Sequence, residues 1–297
     1  MDLILPILAA VFYAAGTVLA IVGVRHPQHL RQRLIHVFFI SGFAIHTLVL
    51  IVHAFRYGGI PIGRPSETVL LSLWCIALVG LFVGWCYKLT ALSAYILPVL
   101  VVFSAGAVAL AQRGCEVPEG LNTLWTALHT IPIFLGFAFF AIGFAASILY
   151  LTQERRLKSK LFEPLIARLP SLETLDRAAR MSTLIGFPLY TLGLILGIVW
   201  AKSGSAVALG WPPDAIIVVG IVTWVVYCVL VHVRLAEITH GRKVAYLTIA
   251  GFILVIAAFL GSFAFGRFHP RKETAVRPHA VRLANVQAVD SRPTEPR

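Results

Sequence analysis

Eight stretches of about twenty apolar residues run through this chain, at roughly 3–24, 35–55, 68–87, 91–112, 130–151, 184–201, 215–235 and 244–266. A helix needs about 20 such residues to cross hydrocarbon, and inside lipid each backbone N–H and C=O must be bonded within the segment. The runs therefore predict eight transmembrane helices. They lack the period-2 alternation of a membrane barrel, so the expected fold class is all-α, a polytopic membrane helix bundle filling residues 1–266. Composition agrees. With 59% apolar and 13% charged side chains in 297 residues, there is too little polar surface to coat a soluble globule. Met1 and Asp2 lead straight into apolar sequence, without the basic start and cleavage site of a removable signal, so the first run reads as a retained span.

The net charge of +12 does not point to nucleic acid, because the basic residues are scattered over the connections and form no stripe. They set topology instead. The connections 25–34, 88–90, 152–183 and 236–243 hold thirteen Lys and Arg, against four in 56–67, 113–129 and 202–214. Basic residues beside spans stay cytoplasmic, which predicts both termini on the outer side. The tail 267–297, rich in Arg and Pro, is expected to be disordered there; its seven basic residues oppose this orientation, but topology is usually decided earlier in the chain. In the long cytoplasmic loop 152–183, leucines at near-helical spacing from Leu161 to Arg180 suit either a short interfacial helix or a solvated connector. Cys75, Cys86, Cys115 and Cys228 show no C-x-x-C spacing, so they indicate neither a disulfide framework nor a zinc site.

No Walker loop, dinucleotide fingerprint, His-Glu-x-x-His or serine elbow is present. Histidine stands out. His46 and His53 lie in the second span, His129 at the outer mouth of the fifth, His232 near the inner end of the seventh and His269 just beyond the eighth. A side chain of this kind inside a span is a functional-site hypothesis, and neutral imidazole is a common axial ligand of haem iron. The bland reading is a histidine that hydrogen-bonds a backbone carbonyl or a neighbouring helix and binds nothing. Trp125, Trp200 and Trp211 suit ordinary interfacial anchoring. Trp211 and Asp214 in the outer loop 202–214, with His129 and His269 on flanking spans, also outline a place for a flat macrocycle between two ligands.

These residues resemble the cytochrome c assembly family of membrane proteins, CcsA with its relatives HemX and YpjD. The resemblance is strongest from about Leu169 to His269. It rests on Leu169-Pro-Ser-Leu-Glu-Thr-Leu-Asp-Arg177, Ile185-Gly-Phe-Pro-Leu189, Trp200-Ala201, Thr223-Trp224-Val-Val-Tyr227, Val231-His232-Val-Arg234 and Gly266-Arg-Phe-His269. Upstream, Pro61 to Trp74, with Pro65-Ser-Glu67, is similar to the family's Pro-x-x-Asn-x-Tyr-Glu-Ser stretch. One departure is clear. The family's Trp-x-Trp-Asp-Pro-Lys-Glu reads Trp211-Pro-Pro-Asp-Ala-Ile-Ile217 here, keeping the first Trp and the Asp and losing the second Trp, a stacking face. That departure and the chain's length lean toward the HemX-like and YpjD-like branch.

The resemblance implies handling of haem b in cytochrome c biogenesis, as a subunit of a cytochrome c synthase or haem lyase complex in the bacterial inner membrane. It implies an outer haem ligated by His129 and His269 over Trp125, Trp211 and Asp214, and an embedded haem ligated by His232. In the CcsA system the embedded iron's other ligand is attributed to a CcsB subunit. A chain working alone would need its own, with His46 the candidate and His36 and His53 behind it. Apocytochrome c is the implied protein partner, and Arg56, Arg64 or Arg113 are candidates to pair with propionates. The alternative is a HemX-like regulator that lowers glutamyl-tRNA reductase, using the loop 152–183. A third class, a transporter, would show an inverted repeat or a matched pair of Gly/Pro-broken spans, and neither is seen.

Overall fold

The structure, a computed structural model, describes residues 4–25, 29–57, 65–87, 89, 92–111, 124–158, 170–202, 213–236 and 241–265. Within them are eight helices and no strand: α1 (Ile4–Arg25), α2 (His29–Tyr57), α3 (Pro65–Cys86), α4 (Ser93–Ala111), α5 (Leu124–Lys158), α6 (Leu172–Lys202), α7 (Pro213–Leu235) and α8 (Arg242–Phe265). Among the described residues six helices, α1, α2, α3, α5, α6 and α7, are long and apolar enough to cross a membrane, and α4 contributes the shorter apolar stretch Ser93–Ala105. The chain is a polytopic membrane helix bundle, as the hydropathy pattern predicts.

Two helices outrun their apolar cores. α5 continues to Lys158, and α6 starts at Leu172, so the charged residues at both ends of the 152–183 connection are helical. The second half of the stretch from Leu161 to Arg180 is thus the opening of α6, while residues 159–169 lie outside the described set. The local chemistry favours this. Ser171 caps α6, its Oγ accepting the Thr174 N–H at 3.1 Å. Glu154 pairs with Lys158 and Glu173 with Arg177, each one turn apart.

The helices pack as two four-helix units joined mainly where α3 meets α5. In the first unit α1 packs on α2 and α4, and α3 on α4 and α2; in the second, α5 packs on α6 and α8, and α7 on α8 and α6. The second unit repeats the first in the same chain order. Trp74 of α3 donates its indole N–H to Thr47 of α2 at 2.9 Å, and Trp224 of α7 donates to Thr191 of α6 at 3.0 Å. The two threonines each bond back one turn, to the carbonyls of Phe43 and Phe187. Those two phenylalanines face the tryptophans at centroid distances of 5.6 and 5.7 Å.

The register that superposes these triads also places Gly42 on Gly186. A Cβ at Gly42 would stand 2.7 Å from the Tyr13 ring, and one at Gly186 would stand 2.9 Å from the Phe140 ring. Both glycines therefore let an aromatic residue of the first helix of the unit lie against the second. The local sequences match accordingly: Phe12-Tyr-Ala-Ala-Gly16 with Phe139-Phe-Ala-Ile-Gly143, and Gly42-Phe-Ala-Ile-His-Thr-Leu48 with Gly186-Phe-Pro-Leu-Tyr-Thr-Leu192. The α5–α6 contact is the closer of the two pairs. A Cβ at Gly136 would meet the Gly186 carbonyl at 2.8 Å, and one at Gly193 would meet the Ile133 amide at 2.8 Å. Where lipid removes the hydrophobic drive between helices, such backbone approach and the contacts it allows hold the pair together.

Candidate functional site

His129 sits in the second turn of α5, at the end of the bundle where α6 finishes. Its Nδ1 lies 2.7 Å from the carbonyl oxygen of Gly193. A carbonyl can only accept, so Nδ1 carries the hydrogen and the neutral ring keeps its lone pair on Nε2. The ring rests on Gly197, one turn beyond Gly193: a Cβ there would stand 2.5 Å from Nδ1 and closer still to Cε1. An imidazole whose far nitrogen is tied to a backbone carbonyl is the usual arrangement of a metal-bound histidine. His129 therefore fits an iron at Nε2. Trp125, one turn earlier, is exposed. Sequence reasoning singled out His129 and passed over Gly193 and Gly197, although their small-x-x-x-small spacing in the sixth span was a readable signal.

His46 lies in the middle of α2 with 1% of its surface exposed. Its Nδ1 is 3.4 Å from the Tyr13 hydroxyl of α1, the ring lies against the Leu70 backbone of α3, and Nε2 closes no full hydrogen bond. The repeat gives it a counterpart. Tyr190 occupies the same position in α6, packs on Phe140 as His46 packs on Tyr13, and donates to the Gly220 carbonyl at 3.3 Å; Gly220 is the counterpart of Leu70. His46 thus bridges three helices in the way a tyrosine does in the second unit. His53, two turns on, stands 3.8 Å from the Glu67 carboxylate at the start of α3. His36 is half-buried in the early turns of α2, with Nδ1 buried and unbonded.

His232 is on the exposed face of α7, near its end. Its neighbour Arg234 points the other way and is 5% exposed. The Arg234 guanidinium donates to Thr248 of α8 at 2.9 Å and faces Asp176 of α6 at 3.5 Å. The packing keeps His46 and His232 in different units, α2 against α1, α3 and α4, and α7 against α6 and α8. Arg56 is exposed at the end of α2. Asp214 belongs to the first turn of α7, with its side chain outside the described residues, and Trp211, His269, Arg64, Arg113 and the tail from 267 lie outside them altogether. Cys75, Cys86 and Cys228 are free thiols.

Residues 63–268 match the model of the cytochrome C assembly protein family, a span that contains His129 with its α6 glycines and His232, and that begins after His36, His46 and His53. The chain belongs to the cytochrome c assembly protein family. Among family members, the cytochrome c biogenesis protein CcsA of Guillardia theta is 25% identical over 240 residues, covering 74% of this chain and 79% of its own length. CcsA of Prochlorococcus marinus (strain MIT 9301) is 26% identical over 254 residues, covering 74% and 82%. CcsA of Chlamydomonas reinhardtii is 25% identical over 226 residues, covering 72% and 61%. The cytochrome c haem lyase CcmF shares the fold, with a TM-score of 0.60 at 18% identity, over 91% of this chain and 51% of CcmF. The chain thus spans about half the length of that structure.

Proposed function

We propose that this chain is a haem-handling membrane protein of cytochrome c biogenesis, which takes haem as its substrate and presents it for covalent attachment to apocytochrome c. The observation that carries the reading is the His129 ring, its Nδ1 tied to the Gly193 carbonyl at 2.7 Å so that Nε2 is left for an iron. Membership of the family gives that geometry its chemistry. In this reading the His129 end of the bundle faces the outer side of a bacterial inner membrane, with both termini there, as the distribution of basic residues favours. His129 and His269 hold the iron of haem b. Trp125, Trp211 and Asp214 line the macrocycle, and Arg56, Arg64 or Arg113 pair with the propionates. Attachment adds a cysteine S–H across each vinyl C=C, with no net electron transfer, so the chain's task is to hold, orient and shield the haem.

His232 is the proposed ligand of a second, membrane-embedded haem on the path from the cytoplasmic side. Its exposed position on α7 favours an opposite ligand from outside the chain, and a CcsB-like membrane subunit suits that role. His46 is the internal candidate only if the chain works alone, because its contacts are those of a helix bridge. The HemX-like alternative, control of glutamyl-tRNA reductase, is not favoured, since the relatives named above are CcsA proteins.

An absorption spectrum of the purified chain tests the reading. Haem with two imidazole ligands is expected in the wild type, with separate losses in His129→Ala and His232→Ala. A haem-free protein, together with normal c-type cytochromes in a deletion strain, would refute it.

A further inference from the structure

The internal repeat separates two kinds of glycine in α6. Gly186 has a glycine counterpart, Gly42, and both admit an aromatic ring of the preceding helix, so this position serves helix packing in each unit. Gly193 and Gly197 do not. The same register carries them onto Val49 and His53 of α2, and α1 packs on α2 with those side chains present. At Gly193 the close backbone approach of α5 and α6 itself calls for glycine, whereas at Gly197 the nearest atoms are those of the His129 ring and not backbone. What α5 and α6 have and α1 and α2 lack is the His129 ring, lying on Gly197 and bonded to Gly193.

We infer that Gly197, with the Gly193 carbonyl, forms a cradle that sets both the tautomer and the direction of the His129 imidazole, and is a positioning element for the iron ligand. This rests on the reading of His129 as a haem ligand. Gly193 supplies the acceptor that holds hydrogen on Nδ1, and Gly197 leaves the room in which the ring lies, its Cε1–Nδ1 edge nearest the glycine and Nε2 farther off.

The two glycines differ in what an added methyl would strike. At Gly193 it meets backbone, the Ile133 amide at 2.8 Å and the His129 carbonyl at 3.0 Å, so the helices themselves must part. At Gly197 the three atoms nearest it all belong to the His129 ring, the far end of a rotatable side chain, which can swing aside while α5 and α6 stay packed. Gly197→Ala is therefore the selective variant. Gly143→Ala is its control, because a Cβ there finds ordinary contacts of 3.6 Å on the same helix pair.

The test uses the full chain in nanodiscs, with two readouts. In haem-free protein labelled with 15N-histidine, the His129 signal, assigned by its loss in His129→Ala, should report hydrogen on Nδ1. It should shift in Gly197→Ala and stay put in Gly143→Ala. In titrations with haem, Gly197→Ala should weaken the His129-dependent binding about 10- to 100-fold, the range seen when support of a metal ligand is lost. An unshifted His129 signal in Gly197→Ala overturns the cradle, whatever haem does. So does unchanged haem affinity in Gly197→Ala where His129→Ala abolishes binding. If the signal shifts but His129→Ala binds haem like the wild type, the cradle stands and the haem reading of His129 falls.

Discussion

The Arg234 guanidinium faces the Asp176 carboxylate at 3.5 Å, and this contact ties α7 to α6 at the end of the bundle opposite His129. The partners are unequally placed. Arg234 is nearly enclosed, its side chain 3% exposed, whereas the Asp176 side chain is 41% exposed. Removing the acid strands a buried cation, while removing the cation leaves an acid that water can reach. Asp176→Asn should destabilise by about 1–3 kcal/mol, less than a fully buried pair because water screens Asp176, and Arg234→Met by less than about 1 kcal/mol. Melting of the two variants in nanodiscs checks this, and equal losses would mean that the pair is effectively solvated.

His46 and its counterpart Tyr190 give a second expectation. If His46 is a helix bridge, His46→Tyr should cost no more than about 1–3 kcal/mol, the range for a larger side chain in a packed site, and leave haem content unchanged. His46→Ala should cost about 2–5 kcal/mol through the cavity it opens beside Tyr13. A well-folded His46→Tyr chain that has lost haem would instead make His46 a ligand.

The paired indole bonds predict matching effects in the two units. Trp74→Phe and Trp224→Phe each remove one hydrogen bond, to Thr47 and Thr191, while keeping a ring against Phe43 and Phe187. Each should lose about 0.6 kcal/mol, the average for interhelical bonds in membranes, and no more than about 1.7 kcal/mol. The double variant should lose the sum, because the sites lie in separate units. A clearly non-additive result would argue against two independent units.

Since His232 is exposed on α7, His232→Ala should change stability by less than about 0.5 kcal/mol. Any loss of haem in that variant is then a ligand effect. It should be largest when the chain is purified with a CcsB-like subunit, and absorption spectra with and without that subunit make the comparison.

Hydropathy located all eight helices because burial in lipid demands about 20 apolar residues wherever a helix crosses, and that demand is local. It was less sure at the polar margins. α6 begins at Leu172, well before its apolar run, because the Ser171 cap and the Glu173–Arg177 pair stabilise helix that the apolar count does not see. The duplication was also present in the letters, in Gly42-Phe-Ala-Ile-His-Thr-Leu48 and Gly186-Phe-Pro-Leu-Tyr-Thr-Leu192, but it runs in the same order and a search for an inverted repeat passes over it.

The sequence by itself determined that this chain is a membrane helix bundle, where its helices lie and which histidines deserve attention, since each of these follows from composition along a short segment. Tertiary structure alone decided what those histidines touch. Whether an imidazole meets a backbone carbonyl, as His129 meets Gly193, bridges helices, as His46 does, or faces outward, as His232 does, depends on how helices far apart in the chain rotate and approach. Those rotations follow from glycines and aromatic residues packing across the interfaces, a property of pairs of helices that no single apolar run contains.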